Sequence, residues 1–146
     1  MVSITFEIDG LDEVRHRYNS LGEGVRESHI LGRAFAEIGT VMVEDVMGTI
    51  SEAFPPASEP GEPPHVRTGA LRRSVRVKEA SPLYVAVAAG GAGTLVPYAA
   101  ALEFGTSKME PRPFMIPAVN RLLEGGDIER ILTEAMDEYV AEGTEQ

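Results

Sequence analysis

The sequence predicts an α+β domain: an antiparallel sheet packed by a long helix in the N-terminal half and by C-terminal helices. Three patterns carry that expectation. Val2, Ile4, Phe6 and Ile8 alternate with polar residues, the period of a half-buried strand. Leu31, Phe35, Ile38, Met42, Val46 and Ile50 recur at steps of three or four, the core stripe of a helix. Val75 and Val77, then Leu83, Val85, Val87 and Ala89, form two alternating runs around a turn at Glu79–Pro82, which reads as a hairpin. A chain of 146 residues fits one domain, 1–146, able to bury roughly 70% of the surface its unfolded form exposes.

Gly10 ends the first strand, and Leu11, Val14, Tyr18 and Leu21 then recur at helical spacing up to Gly22–Gly24. The long helix is expected from about Val25 to Ala53, with Arg33 and Glu37 four apart on its wet side. Gly32, Ala36, Gly39 and Val43 form a second face of small residues. Each glycine there costs about 1 kcal/mol relative to alanine. Close approach of another helix, from this chain or from a neighbouring copy, is one reason to keep them; a tolerated weak helix is the other.

Residues 54–66 form a proline-rich loop, with prolines at 55, 56, 60, 63 and 64. It reads either as an arm that orders against a partner or as a disordered surface loop. Thr68 is placed to cap a helical turn through Arg73. After the hairpin and the Gly90–Gly93 loop, Tyr98–Phe104 reads as a short helix closed by Gly105. Arg112–Ile116 is expected to be extended, because Pro113 and Pro117 disfavour helix in the residues before them, and Pro117 suits the first position of the next helix. Gly125–Gly126 ends that helix. Asp127 is expected to cap the last one, whose stripe is Ile128, Leu132, Ala135 and Tyr139.

Composition narrows the function. Without cysteine the chain has no disulfide, thiolate metal site or cysteine nucleophile, which suits a reducing cytosol. The uncharged run at residues 80–102 is long enough to span a bilayer, but Pro82, Gly90, Gly91, Gly93 and Pro97 break it, so no membrane span is expected. Thirteen basic against 23 acidic residues give a net charge of −10, which repels nucleic acid and anionic lipid. The charge is uneven. Glu124–Gln146 holds eight carboxylates and one arginine, whereas His65–Lys78 holds Arg67, Arg72, Arg73, Arg76 and Lys78 with no acid. That asymmetry suits head-to-tail contacts between copies, and equally a solvated helix beside a solvated strand.

No catalytic or cofactor pattern emerges, and no enzyme activity, cofactor or metal is expected. His16, His29 and His65 have no partner at metal-ligand spacing. The Gly90–Thr94 stretch lacks the lysine of a phosphate loop, and Pro97 sits where its helix would begin. No serine occupies a Gly-x-Ser-x-Gly elbow. Glu103 alone is unusual, standing between Leu102 and Phe104 in an otherwise uncharged segment. A buried carboxylate needs a partner, and Arg72, Arg73 and Arg112 are the candidates for a structural salt bridge.

Three clusters occur in order: Thr68-Gly69 with Leu71, Arg72 and Ser74; Tyr98-Ala99 with Leu102 and Glu103-Phe104-Gly105-Thr106; and Arg112-Pro113-Phe114 with Pro117-Ala118. Together they resemble the tail-component family of long-tailed bacteriophages, also described as tail-completion or neck proteins, over nearly the whole chain. The resemblance implies a structural virion protein of the neck, assembled in the host cytoplasm. Such a protein forms a homo-oligomeric ring, expected to be six-fold, that completes or terminates the tail. Its implied partners are a tail-tube or tail-terminator protein and a head-closure or adaptor protein, with genomic DNA passing through the lumen without specific binding. Arg67, Arg72, Arg73 and Arg76 are the candidate subunit or partner contacts. The alternative is a nucleic-acid-binding module using Arg67–Lys78, although no set of stacking aromatics accompanies those cations.

Overall fold

A computed structural model describes residues 2–6, 29–81, 84–91 and 96–144, with side chains described from residue 29 to residue 142 of that set. The expected helix at Leu11–Leu21, His16 and the turn residues Pro82 and Leu83 lie outside the described residues. The chain is α+β, as its patterning predicts. In order come β1 (Val2–Phe6), α1 (His29–Thr49), α2 (Ala70–Ser74), β2 (Arg76–Ser81), β3 (Tyr84–Ala89), α3 (Ala99–Phe104), α4 (Met115–Glu124) and α5 (Asp127–Thr144).

The three strands form an antiparallel sheet in the order β1-β3-β2. Register runs from Val2 opposite Ala89 to Phe6 opposite Val85 on one side of β3. On the other side Arg76 faces Ala88 and Ser81 faces Tyr84, with a bulge between Val77 and Glu79. The bulge corrects one expectation. Glu79 does not begin the turn: past the irregularity Glu79, Ala80 and Ser81 still pair with Ala86, Val85 and Tyr84, and the chain reverses only between Ser81 and Tyr84. A single extra residue keeps the ladder going. As the central strand, β3 is buried along Val85–Ala89, alanines included, whereas β2 is exposed over most of its length.

Helix α1 lies against β2, β3, α4 and α5 and organises the core. Its predicted stripe is buried from Phe35 to Ile50, with Phe35, Met42, Val46 and Ile50 almost fully enclosed, whereas Leu31 is half-buried. Around it pack Val85, Val87, Phe114, Met115, Leu122 and Ile131. Ile131, absent from the stripe predicted for the last helix, is its most deeply buried residue, with Ala135 beside it; Ile128, Leu132 and Tyr139 flank the core.

The small-residue face of α1 meets the sheet at Gly39, not another helix. A Cβ on Gly39 would lie 2.7 Å from Val85 Cγ2 and 3.0 Å from Val77 Cγ2, so β2 and β3 sit closer there than any larger residue permits. Gly32 has open space around it and Ala36 is exposed, so neither carries a close approach. Arg33 and Glu37 are both on the wet side, but Arg33 pairs with Glu138 of α5. Asp127 is the first residue of α5 and not its cap; its carboxylate lies 3.6 Å from Arg130 within the first turn. Among the described residues, no helix is long and apolar enough to cross a membrane.

Candidate assembly surface

The segments carrying the three sequence clusters converge at the C-terminal end of α1. Glu103, near the end of α3, is 2% exposed, and its carboxylate takes three backbone N–H groups. Oε2 accepts from Phe114 (2.8 Å) and Met115 (3.0 Å), and Oε1 accepts from Ile116 (2.9 Å). The partner of this buried acid is therefore the start of α4. None of Arg72, Arg73 and Arg112 pairs with it. The reason is geometric and electrostatic: a helix N-terminus offers unpaired N–H donors and the positive end of the helix dipole.

This arrangement also corrects the expectation for Pro117. Helix α4 begins at Met115, with Phe114 as its cap residue, so Pro117 is the third helical residue and Ile116 is helical despite preceding it. Proline is tolerated there because the first-turn N–H groups have no partner inside the helix. Glu103 serves the three donors before Pro117, and Pro117 has none.

Around this lock the chain is tied tightly. The Arg112 backbone N–H donates to the Leu102 carbonyl (2.6 Å). The Arg112 guanidinium donates through Nε and Nη2 to the Ser58 carbonyl, both at 3.2 Å. Gly61 N–H donates to the Pro111 carbonyl, and Ser58 and Pro64 are buried. Part of the proline-rich loop is thus ordered against its own chain, so neither a disordered loop nor a wholly partner-ordered arm describes it. Gly105 closes α3 as predicted at φ 73° and ψ −179°. Thr106 and Met109 then exchange backbone hydrogen bonds in a tight loop. Phe114 fills the core, Pro113 and Leu102 are half-buried, and Phe104 stands 65% exposed.

The Thr68–Ser74 cluster lies beside it. Gly69, at φ 74°, takes the cap position of α2, while Thr68 Oγ1 accepts from Ala70 N–H at 3.3 Å. The cap residue is therefore Gly69, with Thr68 supporting the turn from one residue earlier. Leu71 is buried. Ser74 Oγ donates to the Leu71 carbonyl and accepts from Gly90 N–H, which fastens α2 to the end of β3.

An open groove of about 670 Å³ separates these clusters, with Ile50, Leu71, Tyr98 and Leu102 among its lining residues and Arg67, Arg72 and Arg73 at its walls. Arg67 lies over the Phe54 ring at 5.6 Å. Arg73 donates to the Thr68 carbonyl. Arg76 is outside the groove and donates to the Ser74 and Gly90 carbonyls, a role within the chain. Arg72 is exposed; its carbonyl accepts from Val75 N–H, and its guanidinium makes no hydrogen bond or ion pair among the described residues. The groove therefore offers three cations over an apolar floor.

Two features had little signal in the sequence. Ser58 receives Arg112 through its backbone carbonyl, which no residue type encodes. Arg121 reaches Asp45 Oδ2 at 3.1 Å and Thr49 Oγ1, clamping α4 to α1 across a long separation in sequence. No protein-family model, curated protein or solved structure matches the chain.

Proposed function

We propose that the chain is a structural component of a bacteriophage neck, a ring-forming subunit that completes the tail and joins it to the head. The observation that carries this reading is the convergence of three sequence-distant clusters on one corner. Thr68–Ser74 and Tyr98–Leu102 share the groove, and Glu103 locks the third cluster in place through the start of α4. Residues that resemble a tail-component family thus maintain one surface-bearing unit. A net charge of −10 fits a lumen through which DNA passes without sticking.

A nonsense mutation in the gene, within the phage that carries it, tests the proposal. Filled heads and finished tails that fail to join are expected in electron micrographs, with joining restored by the chain supplied in trans. Complete infectious particles from the mutant would refute the role. The second reading, a nucleic-acid-binding module, draws on the three arginines of the groove. It requires DNA affinity that falls steeply as salt rises.

A further inference from the structure

The arginine-walled groove and the acidic end of α5 are complementary, yet they lie at opposite ends of the same molecule. The groove reaches Ile50, just past the C-terminal end of α1. The Arg33–Glu138 ion pair holds the last part of α5 near the N-terminal end of α1. Between Arg33 and Ile50 the helical rise of about 1.5 Å per residue gives a separation of about 25 Å. One copy cannot bring the two together.

The charges are distributed to match. None of the groove's lining residues is acidic. Past Arg130 the chain holds Glu134, Asp137, Glu138, Glu142 and Glu145 and no basic residue. Glu134 is engaged by Arg130, and Glu138, by its hydrogen bond, and Glu142, by its charge, both raise the pKa of Arg33, which leaves Asp137 exposed without an ion pair among the described residues. Val140, three residues beyond Asp137, is 57% exposed, an apolar side chain beside the acid, as Leu71 and Leu102 are apolar beside the arginines.

We propose that the groove formed by Arg67, Arg72 and Arg73 receives the acidic C-terminal end of α5 from a second copy of the chain. Asp137 meets the arginines, and Val140, on the same outer face of α5, lies on the apolar floor. The contact joins two different surfaces, so it repeats from copy to copy and closes into a ring when the rotation between neighbours permits. It rests on the ring reading above and names the surfaces that build the ring.

Three variants of the full chain test it: Arg72→Glu with Arg73→Glu, Asp137→Lys, and Arg72→Glu with Asp137→Lys. All three positions are exposed, and circular dichroism checks that each variant folds. Arg72→Glu alone, which removes no hydrogen bond within the chain, guards against loss of the Arg73–Thr68 contact. Sedimentation is measured at about 0.01 M salt, where charges act over about 30 Å, and at about 1 M, where they act over about 3 Å. The wild type is expected to assemble at low salt and dissociate toward the 15.7 kDa monomer at high salt. Reversal on either side alone should abolish assembly, and Arg72→Glu with Asp137→Lys should restore it.

A wild type that stays monomeric at low salt overturns the contact, as do charge reversals that leave assembly unchanged. Rings that persist in every variant sink this interface but leave the ring reading standing. Charge-swap rescue that yields open filaments supports the interface and removes the ring. Tight, Arg72-dependent binding of a short DNA duplex, with no self-assembly, would assign the groove to nucleic acid instead.

Discussion

The carboxylate of Glu103 accepts the backbone N–H groups of Phe114, Met115 and Ile116, and Pro117, next in the chain, has no N–H to satisfy. The first turn of α4 is therefore complete with one acidic side chain. Glu103→Ala leaves three donors unpaired, two of them on buried residues, and a loss of about 3–5 kcal/mol is expected. Glu103→Gln keeps one acceptor oxygen and should lose about 1–2 kcal/mol. Urea midpoints for the two variants measure the difference. Equal midpoints would show that the carboxylate does not hold α4.

Gly39 and Gly32 look alike in the sequence and differ in what surrounds them. At Gly39 a methyl group meets two valines, whose branched side chains have little freedom to turn away. Gly39→Ala is expected to destabilise by about 1–2 kcal/mol, because overpacking outweighs the gain in helix propensity. Gly32→Ala meets open space and should stabilise by up to about 1 kcal/mol. Thermal unfolding of the two variants should move in opposite directions.

Legibility followed the range of the interactions. The α1 stripe from Phe35 to Ile50 and the Gly105 stop are local patterns and appear where spacing placed them, whereas the hairpin forms with its turn shifted past Ser81 by a bulge. Glu103 stood out as a lone acid in an uncharged run, but its partner did not. The donors are backbone N–H groups, and backbone carries no residue code. The same holds for the carbonyl of Ser58 under Arg112. The start of α4 was misplaced because proline restricts the residue before it only on average, and a carboxylate supplied from α3 outweighed that preference. Two of the candidate contact arginines, Arg73 and Arg76, are held within the chain by carbonyls of Thr68, Ser74 and Gly90.

Arg112 holds the proline-rich loop by two hydrogen bonds to one carbonyl. Arg112→Ala should cost about 1–3 kcal/mol and loosen residues 55–64 preferentially. Hydrogen exchange at Gly61 N–H, which donates to Pro111, is the local readout. Faster exchange there, with the amides of α1 unchanged, is the expected outcome. Uniformly faster exchange across the chain would mean that Arg112 supports the whole fold and not the loop.

Gly105 combines φ 73° with ψ −179°, a region that only glycine occupies readily. It is also crowded: a Cβ there would lie 2.8 Å from the Met109 carbonyl oxygen and 2.9 Å from the Pro111 nitrogen. Both neighbours are backbone and cannot rotate away. Gly105→Ala is therefore expected to cost about 2–3 kcal/mol, more than either helical glycine change. The strain falls between Glu103 and the helix it holds. If the loop gives way first, the variant should lose protection at the Phe114 and Met115 amides before the core of α1 opens, an order that hydrogen exchange resolves residue by residue.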